Sequence, residues 1–323
     1  MKAWNLPQGF SDTLPPDAWE QESMRRNVLD EFKKQNYALV SAPMIEFATS
    51  LLSGSGADLS LQTYKFTDSQ SLQQMVLRSD ITPQMARIDA NRLAGNKINK
   101  LCYCGNIIHT TINDFNSKRD PLQIGAEYFG NPTIDADLEI VNLAISTLKI
   151  TKIKTIHLDL GHIAIAKELI PSALHKSTKL MDAIHNKDSR LIEKLTDKKT
   201  NVNLQQLIKL YGDVNILSDA KKIFKNNENI QNYLQQLETV YNKTMQNNKD
   251  HNISISFDLS EIMGFSYKTG LLFAAFTDNY GKEILRGGRY DNIGAVFGSS
   301  RPATGFSADL KTLFNIQVKN NGK

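Results

Sequence analysis

An α+β fold built on a mainly antiparallel sheet is what this sequence predicts, and three observations predict it. Strand-like runs bounded by turn residues fall in two blocks, one before Ile163 and one after Asn252. Helix-period segments flank them. Between the blocks, from Ile163 to about Asn247, a Lys-, Asn- and Leu-rich stretch keeps helical spacing, as in LQQLIKLYG and IQNYLQQLETVYNKTM. The expected organisation is a core over residues 1–162 and 251–323, interrupted by a helical insertion subdomain over 163–250. At 323 residues and 41% hydrophobic, the chain can bury a full core.

The elements follow in chain order. Trp19, Met24, Val28, Leu29 and Phe32 recur at helical spacing after a Pro-Pro-Asp start, which predicts an amphipathic helix over 15–35. YALVSAPMIEF reads as strand, and Pro43 suits an edge or an interface better than a sheet centre. TYKFTDSQSLQQMVLRSDITPQMARI reads as two strands around a polar turn, delivering Arg78, Asp80 and Thr82 to the start of a helix. LCYCGNIIHT and PLQIGAEYFG are two further strands, joined by a polar loop, INDFNSKRD, placed to cover a site. Ile153, Ile156 and Leu158 mark a short strand. After the helical stretch come ISISFDLSEIMGF, TGLLFAAFT and EILRGGRYD as strands, and ATGFSADLKTLFNI as a closing helix.

The formal charge of +4 points to no particular partner. No apolar stretch of about eighteen residues is present and the first residues lack a signal-peptide core, so a cytoplasmic protein is expected. Cys102 and Cys104 sit two apart, which on a strand points both thiols to one face without disulfide geometry; reduced packing residues are expected. No second cysteine pair stands at zinc spacing, so neither a metal nor a cofactor is expected. RGGRYDNIG, from Arg286 to Gly294, has two readings: a tight turn with a guanidinium aimed at an anion, or a turn with a solvated arginine.

Six short motifs in order, LPQGFSDTLPPDAW, the Pro43 strand, LRSDITP, YCGNIIHT with QIGAEYFG, GGRYD and PATGFSADL, resemble the catalytic domain of histidyl-tRNA synthetase, a class II synthetase fold. The resemblance covers nearly the whole chain. It extends to the synthetase-like paralogues that serve as regulatory subunits of ATP phosphoribosyltransferase, whose known members lack aminoacylation activity and activate a short catalytic subunit. The departures support that side. The motif 2 arginine and glutamate that hold ATP correspond to His109 and Thr111, the arginine of the histidine-specific strand to Met263, and the Glu-Arg pair of the last motif to Lys311 and Thr312. Removing one preorganised donor to a developing phosphoryl charge costs about 10²–10³ in rate, so three losses should abolish adenylation.

The amino-acid end is better kept. By resemblance Asp80, Thr82, Gln123, Glu127 and Tyr267 surround free histidine, with Arg289 or Arg78 compensating for Met263, and Lys268 standing where the family has a tyrosine. Two alternatives stay open: Asp80 as a helix cap, and Gln123 with Glu127 pairing only with protein groups. The resemblance implies a noncatalytic regulatory subunit, a homodimeric core joined with catalytic chains in a hetero-octamer, free histidine as effector, and no catalytic residues. The chain continues only a short way past PATGFSADL, without the anticodon-binding domain that follows there in the synthetase, so no tRNA recognition is expected. The alternatives are a ligase using Arg78, Arg286 and Arg289 as its cations, and an RNA-binding module built on the lysine-rich insert.

Overall fold

The structure is a computed structural model describing residues 4–52, 60–93, 95, 97–111, 118–249, 252–262, 264–298 and 300–320. The chain divides into two compact units: Met1–Asn131 with Ser146–Ile153 and Asn292–Lys323, and Pro132–Ile145 with Lys154–Asp291. The stretch 163–250 falls wholly in the second unit, together with the strands around it.

In the first unit α1 (Asp17–Lys34) leads to β1 (Ala38–Leu39), β2 (Ile45–Phe47) and the short α2 (Ala48–Leu51). β3 (Lys65–Thr67), β4 (Gln74–Leu77), α3 (Thr82–Arg92), β5 (Asn99–Asn106) and β6 (Leu122–Phe129) follow. Here β1 runs parallel to β5, β5 and β6 are antiparallel, and β12 (Ala303–Asp309) adds to the far side of β6. The strands β2, β4 and β3 form a separate small sheet.

The larger of these sheets has two chemically different faces because its side chains alternate. One face presents Cys102, Ile124, Ala126, Phe306 and Ala308, all buried, to α1 and the final helix α11 (Leu310–Asn320). Phe32 of α1 meets Phe306 edge-on, with ring centroids 6.0 Å apart. The other face carries Tyr103 and Gly105 on β5, Gln123, Gly125 and Glu127 on β6, and Gly305, Ser307 and Asp309 on β12.

In the second unit, α4 (Ile134–Ile150, its last turns counted with the first unit) precedes β7 (Ile156–His162). Then come α5 (Ile163–Leu169), a 3₁₀ turn, α6 (Thr178–His185), α7 (Ser189–Leu195), α8 (Lys198–Leu207), β8 (Tyr211–Gly212), α9 (Asn215–Ile223) and α10 (Glu228–Asn247). The strands β9 (Ile253–Asp258), β10 (Leu271–Thr277) and β11 (Tyr280–Arg289) complete a sheet ordered β11-β10-β7-β9-β8. Since β7 and β9 pair in parallel, they cannot be joined by a tight turn, and the helical run supplies the crossover.

The structure departs from the sequence expectation in several places. ATGFSAD is β12, not the start of the closing helix, which begins at Leu310. Gly287 and Gly288 lie inside β11, which fits the strand reading of EILRGGRYD and not the turn reading of RGGRYDNIG. Helix α4 was not anticipated, and Trp19 points to solvent at 72% exposure although the helix around it forms as expected. Among the described residues, no helix is long and apolar enough to cross a membrane, and no group of three His, Cys, Asp or Glu side chains is placed to hold a metal. Cys102 and Cys104 are free, and burial pushes both thiols up to about 12.

Candidate functional site

LRSDITP brings Asp80 to the turn between β4 and α3, where its Oδ1 accepts from the Thr82 backbone N–H at 3.0 Å and from Gln123 Nε2 at 2.8 Å. The first bond is the helix-start contact weighed above; the second ties that turn to β6. Gln123 Oε1 in turn accepts from the Ile81 N–H at 2.8 Å, so the side-chain amide is fixed at both ends. Asp80 is half-buried, and its Oδ2 has no partner among the described residues.

The chain of bonds continues on the same face. Thr82 Oγ1 lies 3.4 Å from Tyr103 Oη, and that hydroxyl donates to Glu127 Oε1 at 3.0 Å. Tyr103 and Glu127 are both 1% exposed. Strand glycines make the room: Tyr103 pairs in register with Gly125, and Glu127 with Gly305. A Cβ on Gly125 would lie 2.6 Å from Tyr103 Oη, and one on Gly305 would overlap Glu127 Oε2. Asp80, Thr82, Gln123 and Glu127 thus belong to one hydrogen-bonded network, in which two carboxylates accept from the neutral donors Thr82 N–H, Gln123 and Tyr103. Tyr103 was missed; glycines within a strand, which signal a close approach, were the available sign of it.

The remaining two expected residues lie in the second unit. Tyr267 is half-buried, with its ring Cζ 3.0 Å from the point where a Cβ on Gly264 would stand. Arg289 is buried and heavily engaged. Its Nε and Nη2 meet the Asp137 carboxylate at 3.0–3.1 Å, Nη1 meets Asp291 at 3.1 Å, and Nη2 also donates to the Thr133 carbonyl. Asp291 accepts from Thr269 Oγ1 at 2.8 Å. Lys268 donates from Nζ to the Gly287 carbonyl at 3.0 Å; burial, with Arg286 nearby, lowers its pKa to about 8. Gly288 has φ +148°, and a Cβ there would overlap the Leu271 carbonyl on β10. RGGRYD is therefore a close strand contact and a buried ion pair.

Of the positions corresponding to nucleotide-binding groups, His109, Lys311 and Thr312 bond to groups within the chain. His109 donates from Nε2 to the Ser79 carbonyl at 3.0 Å, and Thr111 is exposed. Lys311, 7% exposed, pairs with Asp120 at 2.6 Å, while Thr312 Oγ1 donates to Asp309 at 2.6 Å. Burial raises the pKa of Asp309, against the bonds from Thr312 and from the Leu122 and Lys311 N–H groups. Arg78 donates to the carbonyls of Asn106 and Ala42, both at 2.8 Å, and Arg286 pairs with Glu283. Met263 and residues 112–117 of the INDFNSKRD loop lie outside the described residues.

Comparisons with known proteins give the family and the fold. The sequence profile of histidyl-tRNA synthetase matches residues 9–313. An ATP phosphoribosyltransferase regulatory subunit of Thiobacillus denitrificans is 40% identical over 319 residues, covering 97% of this chain and 98% of that one. One from Alkalilimnicola ehrlichii is 40% identical over 322 residues, covering 97% and 80%. Among solved structures, an ATP phosphoribosyltransferase regulatory subunit/histidyl-tRNA synthetase from Bacillus halodurans superposes with a TM-score of 0.84 at 23% identity, over 98% of this chain and 83% of that one. The apo histidyl-tRNA synthetase of S. aureus gives 0.68 at 19%, over 98% and 74%. The fold is that of the class II synthetase core, and the chain belongs to the histidyl-tRNA synthetase family, in the branch of the ATP phosphoribosyltransferase regulatory subunits.

Proposed function

We propose that this chain is a noncatalytic regulatory subunit of ATP phosphoribosyltransferase, activating a short catalytic chain and conveying inhibition by histidine to it. One observation carries the reading: the distribution of charge. The donors of Arg78, Arg289 and Lys311 go to acceptors within the chain, whereas the half-buried Asp80 accepts from the Thr82 N–H and Gln123 through Oδ1, with no partner to Oδ2 among the described residues. A phosphate needs mobile or unpaired cations; an ammonium or an imidazole N–H needs carboxylates.

In this reading Asp80, Thr82, Gln123 and Glu127 bind the effector's cationic groups. Arg289, tied to Asp137 and Asp291, holds the end of its own strand. The effector shifts the regulatory chain between states that hold the catalytic chain differently, which is coupling between sites on two chains. The regulatory chain itself forms a twofold homodimer within a hetero-octamer, works in the cytoplasm and reads no tRNA. Two assays on the purified chain test this. Calorimetry is expected to show histidine binding, and histidine-dependent ATP–pyrophosphate exchange is expected to be absent. Magnesium-dependent exchange above background would establish the ligase reading instead.

A further inference from the structure

The connection between β9 and β10, residues 259–270, is gripped at both ends by the helical stretch 163–250. Its internal bonds are those of short turns: Phe265 N–H to the Ile262 carbonyl, and Tyr267 and Lys268 N–H to the carbonyl of Gly264, whose φ is +78°. Near its start, Leu259 N–H donates to the Leu210 carbonyl at 3.1 Å. There Lys187 Nζ, just beyond α6, donates to Asp258 at 2.7 Å and to Ser260 Oγ at 2.9 Å. Near its end, the Phe265 ring meets His175 edge-on at 5.2 Å and Lys167 Nζ, on α5, also at 5.2 Å. Lys167 Nζ donates to the Lys268 carbonyl at 2.6 Å.

The two lysines at this end are unusual. Lys268 is 9% exposed, and among the described residues the acceptors of both ammonium groups are main-chain carbonyls, that of Lys268 being Gly287 on β11. Desolvation lowers the pKa of each, with Arg286 adding to the effect at Lys268. Lysines are rarely buried without a carboxylate, because the charge loses water and gains no counter-charge. What the fold gains here is position: Lys167 ties α5 to the end of the connection, and Lys268 ties that end to β11.

We propose that the helical stretch positions the 259–270 connection and is coupled to it, with Lys167 as the positioning residue. A change in the connection, which carries Tyr267, is felt in α5 and α6, and a change in those helices resets the connection. Such coupling is reciprocal. It gives the helical stretch, to which no motif assigns a part, the task of relaying a change. The coupling belongs to the chain alone and stands without the histidine reading; only its use by histidine rests on that reading.

The test is amide hydrogen exchange of the full chain, read by mass spectrometry for wild type, Lys167→Met, Phe265→Leu and the double variant, with β5 and β6 as the reference for global opening. Lys167→Met is expected to speed exchange in 259–270 and in α6, and Phe265→Leu in α5 as well as 259–270, by about two- to tenfold, the range of one net hydrogen bond. The double variant should fall short of the product of the two. Lys167→Arg, which keeps a donor and a cation for the ring, is expected to restore the wild-type pattern. Acceleration confined to the stretch that carries the substitution would overturn the inference, as would equal acceleration in β5 and β6. Should Lys167→Met fail to fold, Lys187→Met applies the test from the other end, where the lysine is 33% exposed. Faster exchange in α5 is then expected, and unchanged exchange there overturns the inference. Saturating histidine is expected to slow exchange in 259–270 and α6 of wild type together, and to leave α6 of Lys167→Met unchanged. No response of wild type in either stretch would count against the histidine reading, while the ligand-free comparison still decides the coupling.

Discussion

At the scale of single residues, burial separates groups that hold the fold from groups that remain available. His162 ends β7 and stacks on Tyr233 at 4.5 Å, while its Nε2 donates to Gln236 at 3.2 Å. Its Nδ1 is buried without a partner among the described residues, so protonation would bury an unpaired N–H, and desolvation lowers the pKa from 6.5 to about 4. A histidine with a depressed folded pKa contributes stability that is present above 6.5 and lost as the pH falls through 4. The contribution is on the order of 3 kcal/mol. Urea midpoints are expected to fall over that window in wild type and to fall less in His162→Phe, which keeps the stacking; parallel curves for the two proteins would refute this. Asp80, Thr82, Gln123 and Glu127 entered through the resemblance that LRSDITP and QIGAEYFG carry, and the structure joins them in one hydrogen-bonded network. Tyr103 was not legible: in LCYCG a tyrosine among apolar neighbours reads as ordinary core, and only its cross-strand partner Gly125 reveals that its ring needs room. The acidic partner of Arg289, Asp137, was equally hidden, since 152 residues separate them and no local pattern links the two.

At the scale of elements, the alternating strands and α1 were readable from periodicity, whereas β12 was not. ATGFSAD contains small residues of weak strand preference, and it is a strand because β6 pairs with it from Phe129 to Gln123. Helix α4 escaped because IDADLEIVNLAISTLKI is buried around much of its circumference, which weakens the contrast between its faces. The pairing of β12 with β6 also makes a prediction. Gly305→Ala would place a methyl on Glu127 Oε2 and 2.7 Å from the Ala126 carbonyl, so strand separation or side-chain displacement must follow. A stability loss of about 1–3 kcal/mol is expected from the urea midpoint, together with weakened histidine binding. Gly281, where an added Cβ meets nothing within 4 Å, is the control, and its alanine variant should lose neither. Equal behaviour of the two variants would show that the close approach carries no energetic weight.

At the scale of the whole molecule, the proposed assembly follows from what the small sheet leaves exposed. Phe47, Met75 and Phe66 stand in register across β2, β4 and β3, and Ile45, Phe47 and Phe66 are 43%, 38% and 39% exposed. The opposite face of β4 buries Val76 against Ala48 and Leu51. Glu46 is a poor probe of a twofold interface because its carboxylate is already held by Arg87 and Gln84 within the chain. Phe66→Asp is the better one: sedimentation is expected to show a dimer for wild type and a monomer for the variant, and a wild-type monomer at micromolar concentration would contradict the twofold. The central claim is that this chain regulates a catalytic partner through a pocket that reads histidine. The most direct measurement is the phosphoribosyltransferase rate of the short catalytic chain with the regulatory chain added, across a histidine titration. The account predicts activation by both wild type and Glu127→Gln, with inhibition by histidine strong for wild type and requiring about ten- to a hundredfold more histidine for the variant. A rate that the added chain leaves unchanged would contradict the account.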